Sequence, residues 1–306
     1  MSMELGARSQ GEAAPSVAYP DELRELVEGH LRELRFSSEA GTSGLEAAMR
    51  YSLLAGGKRI RPVLALATAR AIDFPLDAAL PLACALELIH TYSLIHDDLP
   101  AMDDDELRRG RPTCHVAFGE DVAILAGDGL YAEAFRHVLS QPGGSAPCTL
   151  RAMAELAAAT GVGGMVGGQY LDVSGAAATD AAGLRHLHEL KTGRLIAASV
   201  DCVLLMAGRP EHDRMGYRRF AGELGVLFQI VDDILDVTGT DAALGKPQGS
   251  DQRHGKRTYV SEFGLPRARE LAAESYAGAG QALQRAAPAG APELQQITDF
   301  IYTRTS

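Results

Sequence analysis

Residues 95–110 read IHDDLPAMDDDELRRG and close a largely apolar run that spans residues 78–95. Five aspartates fall within nine positions of this stretch, and Arg108 and Arg109 follow almost at once. Carboxylates at this density repel one another unless a cation lies between them, and oxygen ligands alone select a hard cation such as Mg²⁺. The guanidinium forks of the two arginines suit phosphate oxygens. The stretch therefore indicates a diphosphate held through bridging Mg²⁺; the alternatives are a solvated acidic loop or a Ca²⁺ loop.

The spacing of these acids predicts a loop inside the stretch. Asp97 and Asp103 are six positions apart, which places them on different faces of a straight helix. Pro100 is expected to end the helix after Asp98, so that the chain loops back and returns Asp103 toward the same metals. An EF-hand is disfavoured because neither its turn Gly nor its final Glu is at the required position.

A second acidic cluster lies in residues 228–237, which read FQIVDDILDV. At about 100° per residue, Asp232 and Asp236 are roughly 40° apart on one helix face. The core-facing side is expected to carry Ile230, Ile234 and Val237. Because a buried helix rarely carries paired acids without a partner, this face is a second candidate metal site.

These two motifs, in this order, resemble those of the trans-prenyl diphosphate synthase family, most closely its bacterial farnesyl diphosphate synthases. The matching residues are Asp97-Asp98-(four residues)-Asp103 with Arg108-Arg109-Gly110, and Asp232-Asp233-Ile234-Leu235-Asp236. The resemblance covers nearly all of the chain from about Asp21. It implies an all-α fold, a single large helical bundle of the isoprenoid synthase type around one deep central cavity. It also implies a homodimer and three Mg²⁺ ions when substrate is bound.

The resemblance assigns roles to individual residues. The implied metal ligands are Asp97, Asp98, Asp103, Asp232 and Asp236. The implied isopentenyl diphosphate site consists of Lys58, Arg61, His90 and Arg109. The implied allylic diphosphate contacts are Arg108, Lys191, Lys246 and, with a weaker match, Lys256. In the catalytic group of Lys191, Thr192 and Gln229, Lys191 would contact phosphate, and the oxygens of Thr192 and Gln229 would face the forming carbocation. The resemblance leaves the role of Arg304 open, with the isopentenyl diphosphate site as one candidate.

Each of the shorter basic motifs also has an ordinary structural interpretation. The bases around Lys58 follow two glycines and could simply complement a helix C-terminus, although a Walker A loop is excluded. Lys191 could be a solvated lysine beside a kink at Gly193. Residues 161–168 are rich in glycine but lack the dinucleotide-binding order, so they indicate close helix packing, with Gln169 and Asp172 pointing into the cavity.

The implied activity is Mg²⁺-dependent condensation of isopentenyl diphosphate with dimethylallyl and geranyl diphosphate to give farnesyl diphosphate (C15). In the resembled family, Tyr92 and Ser93 would line the pocket of the growing chain, and a large aromatic at Tyr92 would limit its length. Tyr92 could equally be a plain core residue. The alternatives are a geranylgeranyl diphosphate synthase (C20), a class I terpene cyclase or a non-catalytic partner subunit.

Composition narrows the class of protein. The 306 residues are 46% hydrophobic with a net charge of -11, which favours a large core and argues against a nucleic-acid partner. Four cysteines without metal spacing indicate a reduced, cytoplasmic protein. No uninterrupted apolar run reaches the roughly 18 residues of a membrane span, and no secretory signal is recognised. Residues 1–20 are expected to form a disordered tail before a domain over 21–306.

Glycine and proline predict where the helices end. The first helix is expected over about 21–35, and a capping box at Ser43 and Glu46 is expected to open the next. Further breaks are expected at residues 73–75, 110–112, 141–144 and 174–175. The last helices are expected over about 266–285 and 292–301, and no strand is predicted.

Overall fold

The computed structural model describes residues 18–177, 180–239 and 255–304. The fold is all-α, as predicted. The helices are α1 (Asp21–Glu33), α2 (Ser43–Leu53), α3 (Ile60–Ala71), α4 (Leu76–Asp97), α5 (Cys114–Phe118), α6 (Glu120–Ser140), α7 (Ala146–Thr160), α8 (Met165–Ser174), α9 (Ala181–His188), α10 (Arg194–Met206), α11 (Glu211–Thr238), α12 (Tyr259–Phe263), α13 (Leu265–Ala286) and α14 (Pro292–Thr303). A 3₁₀ turn (Ala40–Thr42) precedes α2, and a π turn (Glu189–Gly193) joins α9 to α10.

The central helix is α4, which packs against α3 and α6. It is apolar on all sides, as expected for a helix enclosed by others, and its buried residues run almost without interruption from Ala79 to Ile89. By length and composition α4 is also the one described helix that would be able to span a membrane, but 67% of its most apolar window is buried inside the fold. The acidic stretch begins where this core helix ends.

The amphipathic start of the chain folds as predicted. Helix α1 begins at Asp21, with acidic side chains in its first turn that complement the helix dipole. Leu23, Val27 and Leu31 are spaced four residues apart and are fully buried, which attaches the helix to the core. The predicted tail falls mostly on residues 1–17, which lie outside the described residues.

Most of the predicted breaks are confirmed, but two local predictions are wrong. No capping box opens α2, because Glu46 accepts a hydrogen bond from the Ser37 backbone instead of its own helix end. Val237 is 38% exposed, since α11 is leaving the core at that point. Two features were not predicted: the short helix α12, and a two-residue antiparallel ladder between Leu107–Arg108 (β1) and Arg111–Pro112 (β2).

Candidate active site

The two acidic motifs face one cavity of about 610 Å³. Its polar wall includes Arg61, His90, Asp97, Arg108, Arg109, Gln169, Lys191, Thr192 and Asp232. Its apolar wall includes Tyr92, Leu94, Met102, Met165, Val166, Tyr170, Val173 and Phe228. Residues far apart in sequence therefore meet around one space that is charged on one side and apolar on the other.

The loop predicted within the first motif is present. Helix α4 ends at Asp97, and the Asp103 backbone N–H donates to the Asp97 carbonyl across 2.9 Å. This turn places the two aspartates side by side. Burial, together with the negative charge of Asp103, raises the pKa of Asp97 to about 6, although Lys191 opposes that shift.

Asp98 faces away from the cavity and is 3% exposed. Arg108 Nε donates to Asp98 Oδ1 over 2.8 Å, and Arg108 Nη2 donates to the same oxygen over 2.5 Å. This two-fold contact fixes the guanidinium that lines the cavity. Asp98, expected as a metal ligand, is thus occupied by an arginine that was expected to bind diphosphate.

Three further pairs join an acid to a base around the cavity. Lys256 Nζ lies 2.7 Å from Asp103 Oδ2, and Arg304 Nη2 lies 3.0 Å from Asp232 Oδ1. The third pair is Lys191 with Asp172, at 2.5 Å. The predicted cluster of acids and bases is therefore real in space, although its members neutralise one another in this structure. Lys246 lies outside the described residues.

The second motif divides its aspartates between two environments. Asp232 lines the cavity, whereas Asp233 and Asp236 are 1% and 5% exposed. Asp233 accepts from Gln229 Nε2 and from the Tyr259 backbone N–H, each across 2.7 Å. One carboxylate thus orients a glutamine side chain and holds α12 against α11.

The same glutamine reaches the π turn. Thr192 Oγ1 donates to Gln229 Oε1 across 2.8 Å. Because the amide oxygen faces Thr192 and the amide nitrogen faces Asp233, the orientation of Gln229 is set at both ends. A chain of hydrogen bonds therefore runs from Thr192 through Gln229 and Asp233 to α12.

The predicted kink at Lys191 is the π turn itself, a geometry often found at functional sites. Two glycines allow it to fit. A Cβ at Gly168 would lie 2.3 Å from the Lys191 backbone nitrogen, and one at Gly225 would lie 3.0 Å from Gly193 Cα. The glycine-rich segment thus does provide close packing, as the sequence indicated.

Three of the four residues expected to bind isopentenyl diphosphate line the cavity: Arg61, His90 and Arg109. Burial and the neighbouring arginines hold the pKa of His90 well below its usual value, so this imidazole is neutral. The Arg109 guanidinium packs on Gly57 and donates to the Gly56 carbonyl. Lys58 is not among the cavity residues, and its Nζ lies 5.0 Å from the Phe300 ring centroid.

Arg59 stands between two of these candidate residues but has a structural role. It adopts a left-handed backbone (φ 53°) and its side chain is buried. It donates to Glu28 across 2.7 Å, to Glu87 across 2.6 Å and to the Leu53 carbonyl across 2.7 Å. The sequence shows three bases close together, Lys58, Arg59 and Arg61, and only Arg61 lines the cavity. The sequence alone does not distinguish it from the buried structural Arg59.

Gln169 is the cavity residue that the sequence signalled least clearly. Both its amide nitrogen and its amide oxygen are buried and have no hydrogen-bond partner in the described part of the chain. A buried amide in this state is costly unless a bound molecule completes it. Asp172, predicted beside it, is instead held by Lys191.

The oxygen-rich donors around the cavity suit Mg²⁺. Among the described residues, no three carboxylate, imidazole or thiol groups converge closely enough to hold a metal alone. Mg²⁺ does not require this, because it commonly takes one or two protein carboxylates and completes its shell with water and substrate phosphate. Asp97 and Asp232 line the cavity and Asp103 meets Asp97 across the turn, so these three carboxylates fit that requirement.

Known proteins are similar to this chain in sequence and in fold. A family model described as polyprenyl synthetase matches residues 42–286. A farnesyl diphosphate synthase from Geobacillus stearothermophilus is 46% identical over 86% of this chain and 90% of its own length. A chloroplastic geranylgeranyl pyrophosphate synthase from Capsicum annuum is 45% identical over 85% of this chain and 71% of its own length.

A solved structure agrees with the sequence relatives. The geranyltransferase from Helicobacter pylori, complexed with magnesium and isoprenyl diphosphate, has a TM-score of 0.82 at 31% identity, covering 96% of this chain and 98% of that one. The chain therefore belongs to the polyprenyl synthetase family, with trans-prenyl diphosphate synthase activity.

Proposed function

We propose that this enzyme condenses isopentenyl diphosphate with dimethylallyl and geranyl diphosphate and releases farnesyl diphosphate, the C15 product. The observation that carries the proposal is the position of Tyr92, whose ring bounds the apolar part of the cavity five residues before Asp97 on α4. A chain growing away from the acidic motifs would meet this ring. A bulky aromatic at that place favours a short product.

We assign the metal ligands to Asp97, Asp103, Asp232 and Asp236, with three ions in the substrate complex. Bound Mg²⁺ would stabilise the charge that develops on the departing diphosphate. Asp98 serves this site by holding Arg108 at the cavity wall.

The bases assigned to diphosphate form two groups. Arg108, Lys191, Lys246 and Lys256 bind the allylic diphosphate. Lys58, Arg61, His90 and Arg109 bind isopentenyl diphosphate. His90 acts as a hydrogen-bond partner there, and Arg304 supports the same diphosphate once it leaves Asp232. Holding the two substrates in line supplies part of the roughly 7–11 kcal/mol available to well-oriented reactants.

The reaction needs no side-chain nucleophile. The allylic C–O bond ionises, and the double bond of isopentenyl diphosphate attacks the allylic cation. A proton then leaves to the released diphosphate. Oxygen lone pairs of Thr192 and Gln229 face the developing positive charge, and the apolar wall excludes the water that would quench it.

A C20 product is the second candidate, because the Capsicum geranylgeranyl relative and the Geobacillus farnesyl relative are nearly equal in identity. The experiment is incubation of the purified protein with isopentenyl diphosphate, each allylic diphosphate and Mg²⁺, followed by chromatography of the products. Mainly C15 product supports the proposal, and mainly C20 product refutes the chain length. A cyclic hydrocarbon would indicate a terpene cyclase, and no turnover a non-catalytic subunit.

We also propose a cytoplasmic homodimer whose catalytic unit is one all-helical domain over residues 21–306. Support for the dimer comes from α6, where the large apolar side chains Ile124 and Leu125 do not line the cavity and are 44% and 55% exposed. Light scattering on the purified protein gives its mass in solution. A mass of one chain at micromolar concentration would exclude the dimer.

A further inference from the structure

The Tyr92 ring is held in place by a second layer of side chains on α6 and α7. It meets the Tyr131 ring edge-on, with centroids 5.0 Å apart and planes inclined by 75°. Tyr131 itself is not a cavity residue, so it stands behind Tyr92 as seen from the cavity. A contact of this geometry is favourable for aromatic rings and restricts how far either ring turns.

The hydroxyl group of Tyr131 anchors this second layer. Tyr131 Oη lies 3.2 Å from Thr160 Oγ1. Thr160 is fully buried and donates its own hydroxyl hydrogen to the Leu156 carbonyl across 2.9 Å. Tyr131 must therefore be the donor in the shared bond, since Thr160 has only one hydrogen to give. The ring of Tyr131 is thus fixed to Thr160, the last residue of α7, which does not line the cavity.

The Tyr92 ring also contacts His96, a cavity residue one turn along α4. The two rings meet at 88° with centroids 5.5 Å apart. His96 Nε2 donates to the Ile124 carbonyl across 3.0 Å. It also fills a notch at Gly127, where a Cβ would lie 2.1 Å from Nε2. His96 therefore has little freedom to move aside.

We propose that these three residues, His96, Tyr131 and Thr160, form an aromatic brace that sets product length by keeping the Tyr92 ring across the end of the cavity. This inference rests on the proposed C15 function. Tyr131 is a positioning residue that acts through Tyr92 and touches no substrate. Product length depends on whether a C15 chain is released or accepts another isopentenyl unit, and a Tyr92 ring that turns away allows that further addition.

The test is product analysis by mass spectrometry with excess isopentenyl diphosphate. In Tyr131→Leu, which removes the ring, the ratio of C20 to C15 product is expected to rise about tenfold, equivalent to ~1.4 kcal/mol in the partition. In Tyr131→Phe, which removes only the hydroxyl, a smaller rise of roughly threefold is expected, because the edge contact remains. Thr160→Val should match Tyr131→Phe.

A matched control is Tyr276 on α13. Its ring stacks on Tyr302 with centroids 4.4 Å apart, and its hydroxyl donates to Asp299 across 2.8 Å. Tyr276→Leu and Tyr276→Phe remove the same groups away from the cavity and should leave the product ratio unchanged. A shift as large in these controls would show a general loss of rigidity and would overturn the brace.

The double variant Tyr92→Ala with Tyr131→Leu shows whether Tyr131 acts through Tyr92. If it does, the double variant gives the same product distribution as Tyr92→Ala alone. Further lengthening would mean that Tyr131 bounds the chain directly, which contradicts a positioning role. Each hypothesis fails on a different result. No prenyl product from the unaltered enzyme refutes the activity, and mainly C20 product refutes the C15 proposal. A C15 product that Tyr131 substitution does not change refutes the brace alone.

Discussion

Lys256 and Asp103 are 153 positions apart, yet the lysine Nζ lies 2.7 Å from the aspartate Oδ2. Asp232 is held in the same way by Arg304. Each pair joins a carboxylate assigned to metal with a base assigned to diphosphate. A metal ion that takes the carboxylate breaks its ion pair with the base, and phosphate can then take the place of the carboxylate beside that base. Metal and diphosphate binding are therefore expected to reinforce each other.

Lys256→Gln tests this exchange. Without the ammonium, Mg²⁺ no longer has to displace Lys256 from Asp103, so Mg²⁺ affinity without diphosphate should rise by roughly two- to fivefold, the range for a modest ion pair. Affinity for inorganic diphosphate at saturating Mg²⁺ should fall. Both are measured by isothermal titration calorimetry. Arg267→Gln removes surface pairs to Glu270 and Glu274 and should change neither. Weaker Mg²⁺ binding by Lys256→Gln would contradict the exchange.

Tyr92→Ala is expected to lengthen the product. The substitution removes the ring that bounds the apolar cavity and leaves Asp97 in place. C20 and longer products should replace most of the C15 product in chromatography. Tyr276→Ala removes the same ring from α13, outside the cavity lining, and should keep the original product. Unchanged C15 from Tyr92→Ala would exclude Tyr92 as the limit on length.

Asp233→Asn is expected to lower kcat with little effect on the KM for isopentenyl diphosphate. Asparagine offers one acceptor oxygen where Asp233 accepts from both Gln229 and the Tyr259 backbone. One donor loses its partner, which should lower the free energy of unfolding by about 1–3 kcal/mol. Gln229 is then no longer fixed toward Thr192, and this orientation matters in the chemical step.

The control for that substitution is Asp299→Leu on α14. Asp299 Oδ1 also accepts from a glutamine four residues earlier, Gln295, across 2.7 Å, and from Tyr276 across 2.8 Å. Because both donors share one oxygen, removal of the whole carboxylate is needed to leave a donor unpaired, and this variant should lose comparable stability while kcat stays unchanged. Equal losses of kcat in both variants would assign the effect to stability alone.

Gly168→Ala should damage the π turn. The new Cβ would lie 2.3 Å from the Lys191 backbone nitrogen, so the turn must shift. We expect a loss of about 1–3 kcal/mol in the free energy of unfolding from overpacking, and a fall in kcat. The control is Gly163→Ala. Gly163 belongs to the same glycine-rich segment, and a Cβ added there would have nothing within 4 Å. Full activity in Gly168→Ala would show that Lys191 tolerates displacement.

His137 predicts a pH dependence of stability away from the cavity. Its Nε2 lies 3.0 Å from His30 Nε2 on α1, and burial, with His30 and Arg136, lowers its pKa to about 4. Between about pH 6.5 and 4, His137 is therefore protonated in the unfolded chain but not in the folded chain. The free energy of unfolding is therefore unaffected by His137 above pH 6.5 and falls by at most about 3 kcal/mol as the pH falls toward 4.

Urea unfolding at pH 7.5 and pH 5 measures this effect. Glu33 and Glu133 are the acidic side chains beside the histidine pair. His137→Gln keeps a hydrogen-bonding side chain but does not titrate, so its stability should fall less between the two pH values. Parallel losses in the original protein and in His137→Gln would exclude the histidine pair as the cause.

Much of the site was predictable because it depends on patterns within a few residues. Pro100 ends α4 wherever the helix lies, and the i, i+4 spacing puts Asp232 and Asp236 on one side of α11. The capping box failed for the opposite reason. Ser43 and Glu46 have the right types and spacing, but the Ser37 backbone competes for the same carboxylate.

The sequence by itself determined the helical class, the two acidic motifs and the family of reactions that they serve. Only the tertiary structure decided which member of each charged group faces the cavity: Asp97 and not Asp98, Arg61 and not Arg59. These neighbours have the same chemistry and differ only in the partners that packing brings to them from distant helices. Because those partners come from elsewhere in the chain, no local pattern records them.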